Sequence, residues 1–405
     1  DTMASSTIKI EDLTTDEVNR KILHRLKAND AELVELRVCN EGHLRDDHEY
    51  CPQDARDLEC VGYYVGKSTT LKELYLASDL FDGMNTNTAV LPFFKGVNSN
   101  RSIQKIAFRN MNLSGGEIFQ VLRPFFDDNS NLSELEVDEC AFRAGCSHQL
   151  SSALRVCKTS LKSVRIAFIQ GVAGVGSEII DALGTHPQLR KLTLVSINIG
   201  RNESGALAHL LRHSTTELHT LELSRNNLNG EEVDVLIQSL ANRRLRTLRL
   251  SSNPTITVSG FQGLAAMLKR PSSNLETMDL SYSLVGDKGA CILSNALSCN
   301  CKLKTLDLCN NCIKTEGYSA ILNTLCDTSS VNSTYLSNHT LESLGSHSPR
   351  VPRDIYSSLA LNRSSEDKKQ VAIKKILKYH QHYDMQPFFE WDLKILPHAI
   401  NWFER

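Results

Sequence analysis

The sequence predicts a repeat protein of the α/β class, in which a short strand and a helix alternate along most of the chain. Three observations carry this expectation. First, an apolar-x-x-apolar-x-apolar signature starts at Leu33, Leu71, Ile103, Leu132, Leu161, Leu189, Leu218, Leu245, Leu275, Leu303 and Val331. Its successive starts lie 38, 32, 29, 29, 28, 29, 27, 30, 28 and 28 residues apart, a period that chance clustering does not hold over so many intervals. Second, the signature itself has period two, as in Leu218-His-Thr-Leu221-Glu-Leu223, which is a strand with its leucines on one side. Third, the segment after it turns helical, with Val233, Leu236, Ile237 and Leu240, or Phe261, Leu264, Ala265 and Leu268, at i, i+3, i+4 and i+7.

Each element follows in order. Between strand and helix stands a further signal, Asn226 then Leu228, which completes L-x-x-L-x-L-x-x-N-x-L. Asn253, Asn311 and Cys140 fit the same position, whereas Ile169, Ile197 and Ser283 stand there in other units, so an interrupted polar ladder is expected. A glycine opens several helices (Gly230, Gly260, Gly289, Gly317). These residues resemble leucine-rich repeats, and the unit of about 28 residues with a full helix is similar to the ribonuclease-inhibitor-like subtype. More narrowly, the segments Ser330–Leu341 and Met385–Trp391, with the tail Trp402-Phe403, resemble a group of diatom leucine-rich-repeat proteins.

The resemblance implies a solenoid, a horseshoe with a parallel β-sheet on the concave face and helices on the convex face. It also implies three segments: an N-terminal helical cap over 1–32, about eleven repeats over 33–345, and a C-terminal helical cap over 346–405. Terminal repeats of a solenoid need such caps because each repeat buries its apolar face only against a neighbour. For the first cap, residues 14–28 read as a helix with Thr14 and Glu17 in a capping-box pattern. For the last, Pro349 and Pro352 mark a connection, followed by a basic amphipathic helix over 366–379 and an apolar run from Phe388 to Leu396.

Composition narrows the function. The 405 residues carry 45 Lys+Arg against 47 Asp+Glu, a net charge of -2, which gives no broad footprint for nucleic acid or an anionic membrane. No stretch approaches the ~20 apolar residues of a membrane span, and Asp1–Glu11 lacks the basic-then-apolar order of a signal peptide. Twelve cysteines in this length are too sparse for a disulfide-built scaffold, so a cytoplasmic protein with reduced thiols is expected.

Several local patterns invite a chemical reading and lose it to context. Gly62-Tyr-Tyr-Val-Gly66-Lys67-Ser68 is one residue short of a phosphate loop and precedes a strand instead of following one. Cys299-Asn-Cys301 and Cys309-Asn-Asn-Cys312 flank one strand, roughly 20 Å apart at ~3.3 Å per residue, whereas thiolates sharing a zinc sit within about 4 Å. They read as packed thiols. His43, Asp46, Asp47, His48 and Cys51 gather in the insertion that lengthens the first unit, without a ligand spacing, and read as a solvated loop. His380-Gln-His382 reads the same way, and the glycines of Gly171-Val-Ala-Gly174-Val-Gly176 suit a strand-to-helix turn. No catalytic constellation, metal site or cofactor is expected.

The outward residues of the strands define the one surface with a readable pattern. They run Glu35/Arg37, Glu73/Tyr75, Lys105/Arg109, Glu134/Glu136/Asp138, Ser163/Arg165, Lys191/Thr193, Thr220/Glu222, Thr247/Arg249, Thr277/Asp279, Thr305/Asp307 and Ser333/Tyr335. Two features stand out: three carboxylates in one row between basic neighbours, and a threonine ladder beside alternating charges. Glu134, Glu136, Asp138, Arg165, Lys191, Glu222, Arg249, Asp279, Asp307 and Tyr335 are therefore the expected contacts of a protein partner. The expected function is a non-catalytic interaction scaffold, or alternatively a regulatory subunit that inhibits or activates a partner enzyme; neither nucleic acid nor membrane is expected as a partner.

Overall fold

The structure is a computed structural model. It describes residues 10–40, 46–77, 80, 89–113, 117–142, 145–157, 161–169, 176–213, 217–240, 244–345, 351–365 and 367–381. The chain forms two compact units, Asp1–Thr220 and Leu221–Arg405.

In the first unit a 3-10 turn (Ile10–Asp12) and α1 (Glu17–Ala28) lead into β1 (Glu35–Cys39), β2 (Glu49–Tyr50), α2 (Ala55–Lys67), β3 (Glu73–Ala77), α3 (Leu91–Val97) and β4 (Lys105–Arg109). There follow α4 (Glu117–Val121), α5 (Arg123–Asp128), β5 (Glu134–Asp138), α6 (Cys146–Val156), β6 (Ser163–Ala167), α7 (Ser177–Leu183), β7 (Lys191–Val195) and α8 (Arg201–His213). Strand pairs β1 to β7 are parallel. The register aligns Leu36, Leu74, Ile106, Leu135, Val164 and Leu192 in one row, each at most 1% exposed. A one-residue slip would turn that whole row outward, so the apolar alternation itself sets the register.

The strand β8 (Thr220–Glu222) spans the boundary. The second unit continues with α9 (Gly230–Ser239), β9 (Thr247–Arg249), α10 (Val258–Lys269), β10 (Thr277–Asp279), α11 (Gly286–Leu297), β11 (Thr305–Asp307) and α12 (Thr315–Leu325). Its last helices are α13 (Val331–Tyr335), α14 (Arg353–Arg363) and α15 (Lys368–Tyr379). Here too the strands are parallel, with Thr247, Thr277 and Thr305 in register.

Two polar ladders answer the backbone groups at the turns. After the strands, Asn253 donates to Leu223 O (3.1 Å) and Leu250 O (2.8 Å) and accepts from the amides of Asn226 and Leu228 (3.0 Å each). Ser283, expected to interrupt this ladder, instead keeps it: its hydroxyl donates to Leu250 O and accepts from Asn253 N. Before the strands runs a second ladder that the sequence pattern did not announce. Asn100, Asn300 and Asn338 stand three residues ahead of the first apolar strand position. Each side-chain oxygen accepts two following amides at 2.7–2.9 Å. Each side-chain nitrogen donates to carbonyls of the preceding repeat, for example Val65 O and Ser68 O for Asn100.

Other expectations change in detail. The N-cap of α1 is Asp16, not Thr14, which instead donates to Gln53. The phosphate-loop look-alike lies within α2 and the residue after it, where Gly62 and Gly66 let α3 approach: a Cβ on Gly62 would stand 2.5 Å from Phe93 O. The glycine contact is steric, with no phosphate role. The eleventh strand was expected at Val331, but Val331–Tyr335 is helical, with the Ser330 hydroxyl capping Ser333 N. The register resumes ten residues later, where Leu306 N donates to Ser343 O and Leu308 N to Leu344 O. In α15 the buried residues are Val371, Ala372, Lys375 and Ile376, while Leu377 is 69% exposed. The apolar run Phe388–Leu396 lies outside the described residues.

Two predictions follow from these contacts. Asn253→Ala strands several buried backbone groups, each worth roughly 1 kcal/mol, so chemical denaturation should show a loss of about 3 kcal/mol. Lys375 is fully buried, donating to Leu325 O and Asn338 O; burial holds its ammonium down, to about 7. An unfolded lysine titrates near 10.5, so between these values the unfolded chain binds the extra proton. The contribution is complete above 10.5 and is lost as the pH falls to about 7. Burial likewise lowers His339 to about 4, extending the loss of stability below pH 6.5. Denaturation midpoints should rise from pH 7 to about 9 in the wild type, below the range where the raised thiols begin to act, and that rise should be missing in Lys375→Met.

Candidate functional site

The outward positions of the sheet hold the expected contact residues, but the structure uses several of them internally. The reason begins at Ala107. In register it lies between Tyr75 and Glu136, and its small side chain leaves space that both neighbours occupy; each is only 8% exposed. Lys105 and Arg109, at the two ends of the same strand, fold over that space. Lys105 Nζ donates to the Tyr75 hydroxyl at 3.0 Å and lies 3.3 Å from Glu136. Arg109 reaches Glu136 at 2.8 and 2.9 Å. Both cations lie 4.8 Å from the Tyr75 ring centre, a distance at which the ring quadrupole attracts them.

Charge states follow from this packing. Burial pulls the Lys105 ammonium down, but Tyr75 and Glu136 outweigh it and leave the pKa above the ordinary lysine value. Burial and a hydrogen bond to Glu73 push the Tyr75 phenol up. Both shifts keep the Tyr75 phenol neutral and the Lys105 ammonium charged at neutral pH.

The row of three carboxylates thus divides. Glu136 belongs to the cluster, and Asp138 is held by Arg165 at 2.9 and 3.0 Å. Glu134 is exposed, and so is Lys191; among the described residues neither has a side-chain ion pair. In the second unit Arg249 lies 3.8 Å from Glu222. Asp279 accepts from the amide and hydroxyl of Ser281, and Asp307 from the amide of Cys309. Tyr335 is not on the sheet at all, since the chain there is helical.

Two residues absent from the expected set are conspicuous in the turn after β10. Tyr282 is 59% and Leu284 56% exposed, and both adopt left-handed backbone, φ 56° and 52°. Such angles disfavour large L residues, and equivalent turns use Arg225 and Asn227, or Asn310 and Cys312. The sequence signal was available: bulky apolar residues on both sides of Ser283, where Arg225 and Asn227 flank Asn226 and Ser196 and Asn198 flank Ile197.

Cys299, Cys301 and Cys312 are exposed and not packed. His380 contacts the Thr334 hydroxyl at 2.7 Å, while His43, His382 and Gly171–Val175 lie outside the described residues. Among the described residues no helix is long and apolar enough to cross a membrane.

No family model matches the chain. Among curated proteins it is similar to mouse NACHT, LRR and PYD domains-containing protein 9B, 27% identical over 203 residues, covering 49% of this chain and 20% of that protein. It is similar to mouse NACHT, LRR and PYD domains-containing protein 14, 29% identical over 227 residues, covering 54% and 22%. It is also similar to mouse ribonuclease inhibitor, 27% identical over 272 residues, covering 64% of this chain and 58% of the inhibitor. The chain thus spans about a fifth of the length of the first two relatives and just over half of the third. A solved chain from the yeast Rad7 and Elc1 complex superposes with a TM-score of 0.46 at 15% identity, covering 78% of this chain and 75% of that one. The repeat architecture and the sequence likenesses support a leucine-rich-repeat protein similar to ribonuclease inhibitor.

The division of the carboxylate row is measurable. Glu136→Gln leaves the part-buried Lys105 and the exposed Arg109 without their shared counter-charge and should cost about 1 kcal/mol in chemical denaturation. Glu134→Gln, at an exposed position, should stay within about 0.5 kcal/mol of the wild type.

Proposed function

We propose that this chain is a non-catalytic interaction scaffold that binds another protein on the outward face of its repeat sheet. The carrying observation is the preassembled Tyr75–Lys105–Arg109–Glu136 cluster. It gives that face a rigid mixed-charge floor in the first unit, beside the exposed Glu134 and Lys191. A fixed floor lowers the ordering cost of association, and interspersed signs suit a folded protein better than a polyanion.

In the second unit Arg249, Glu222, Asp279 and Asp307 offer half-exposed polar positions, with Tyr282 and Leu284 as apolar contacts. Large side chains kept at strained backbone positions on the surface are consistent with binding, since stability alone would favour Asn or Gly there. The likeness to NACHT, LRR and PYD proteins and to ribonuclease inhibitor supports protein recognition in general. In this reading α1 at one end and α14 with α15 at the other serve as caps.

A second reading, a regulatory subunit acting on a partner enzyme, draws on the match to ribonuclease inhibitor across 64% of this chain. The two separate by assay: a scaffold retains its partner without altering turnover, and a regulator changes it.

Affinity capture followed by quantitative binding tests the face. Glu134→Lys/Lys191→Glu and, separately, Tyr282→Asn/Leu284→Asn should each weaken binding about tenfold, or about 1.4 kcal/mol. The second variant should also gain stability. Glu231→Lys on the exposed side of α9 should bind as the wild type does. Unchanged binding by both face variants would remove the sheet surface as the site.

A further inference from the structure

The long first unit carries a cluster that the partner-binding face does not use. Cys39 ends β1, Glu49 opens β2 and Cys51 follows β2 directly. Their thiol and carboxylate ligand atoms all lie within 4.8 Å of one another. Cys39 Sγ stands 3.6 Å from Cys51 Sγ and 3.1 Å from Glu49 Oε1. Both cysteines are buried and Glu49 is half-buried. Among the described residues this is the one group of three such side chains gathered closely enough to share an ion.

We propose that Cys39, Cys51 and Glu49 bind a single divalent zinc-class cation, with a fourth coordination position left open. Tetrahedral Zn–S bonds near 2.3 Å place two thiolates about 3.8 Å apart, and the observed 3.6 Å needs only a small outward shift. Two sulfur donors select a borderline or soft cation over calcium or magnesium.

The surroundings hold the donors in place. Cys51 is clamped through its backbone by Asn19 of α1: the Asn19 side chain donates to Cys51 O at 2.7 Å and accepts from Cys51 N at 3.2 Å. Asn19 is itself fully buried. Tyr50, between Glu49 and Cys51, is fully buried and donates its hydroxyl to Asp57, so the side chains of Glu49 and Cys51 cannot rotate as a free loop would. Parallel pairing of Arg37 with Glu49 and Val38 with Tyr50 fixes β2 against β1, on which Cys39 lies.

The electrostatics agree with the geometry. The adjacent Cys51 thiol, burial and Glu49 all push Cys39 up, so in the absence of a cation this thiol keeps its proton and donates to the carboxylate. Arg37 also faces the group, but its guanidinium is directed to Glu35 at 2.9 Å. When the cation enters, both thiols release their protons to solvent, and two thiolates with one carboxylate supply three negative charges to the ion. No change in oxidation state is involved.

The test is a cobalt(II) titration of the full chain, reduced and stripped with a chelator, under anaerobic conditions. The expected result is a thiolate-to-cobalt absorption that saturates at one equivalent and is displaced by zinc. It should be absent from Cys39→Ser/Cys51→Ser and unchanged in Cys299→Ser/Cys301→Ser. Circular dichroism checks that each variant folds; should the buried double variant not fold, Glu49→Gln carries the test through a weakened and blue-shifted signal. No absorption, or the same absorption after both buried thiols are removed, would overturn the site. So would a Cys39–Cys51 cystine, found by mass spectrometry of air-exposed protein whose reduced form takes up no cobalt.

Discussion

Everything in these repeats depends on how the polar backbone at each turn is satisfied. A strand and a helix that bury apolar faces against one another leave amides and carbonyls stranded at the turns, where water is excluded. The asparagine three residues ahead of a strand meets both demands: its oxygen takes the next two amides and its nitrogen reaches back to the previous repeat. Where it stands, at Asn100, Asn129, Asn300 and Asn338, one side chain therefore ties a repeat to its predecessor. Hydrophobic burial alone, being non-directional, would not select this spacing.

The end of the second unit uses the same device without a further repeat. Asn338 donates to Leu297 O and Asn300 O. Asn362 of α14 then donates to Asn338 O and Leu341 O, as the asparagine of a following repeat would. Lys375 of α15 adds a donor to Asn338 O. Helices after the last strand thus present donors where repeat periodicity has stopped. This explains why a lysine, ordinarily expensive to bury, sits inside an otherwise apolar stripe: removing it would leave carbonyls with fewer partners.

The period made the repeat class, the strands and most outward residues legible, because alternation and helical spacing are local properties of sequence. Three things were not. The last register was misplaced because Leu341-Glu-Ser-Leu344 lacks the third leucine of the signature, and Val331 mimics its start inside a capped helix turn. The status of the acidic row was hidden because it depends on Ala107, 29 residues before Glu136, and on which neighbour's side chain fills the space above it. The Cys39–Cys51 pair was obscured because a two-residue strand has no periodicity to detect, and only its pairing with β1 brings the thiols together.

These misses share a physical form. In a parallel sheet each outward residue has neighbours roughly 28 residues away on both sides, so a charge read as available to a partner is first available to the next strand. Glu136 and Asp138 are consumed that way, and Glu134 escapes only because Lys105, its register partner, turns toward Tyr75 and Glu136. The arrangement at one alanine therefore decides which of three successive acidic residues faces solvent. The outward face is better described by what its cross-strand pairs leave over than by its charge pattern, and in the first unit that remainder includes Glu134, Lys191 and the exposed guanidinium of Arg109.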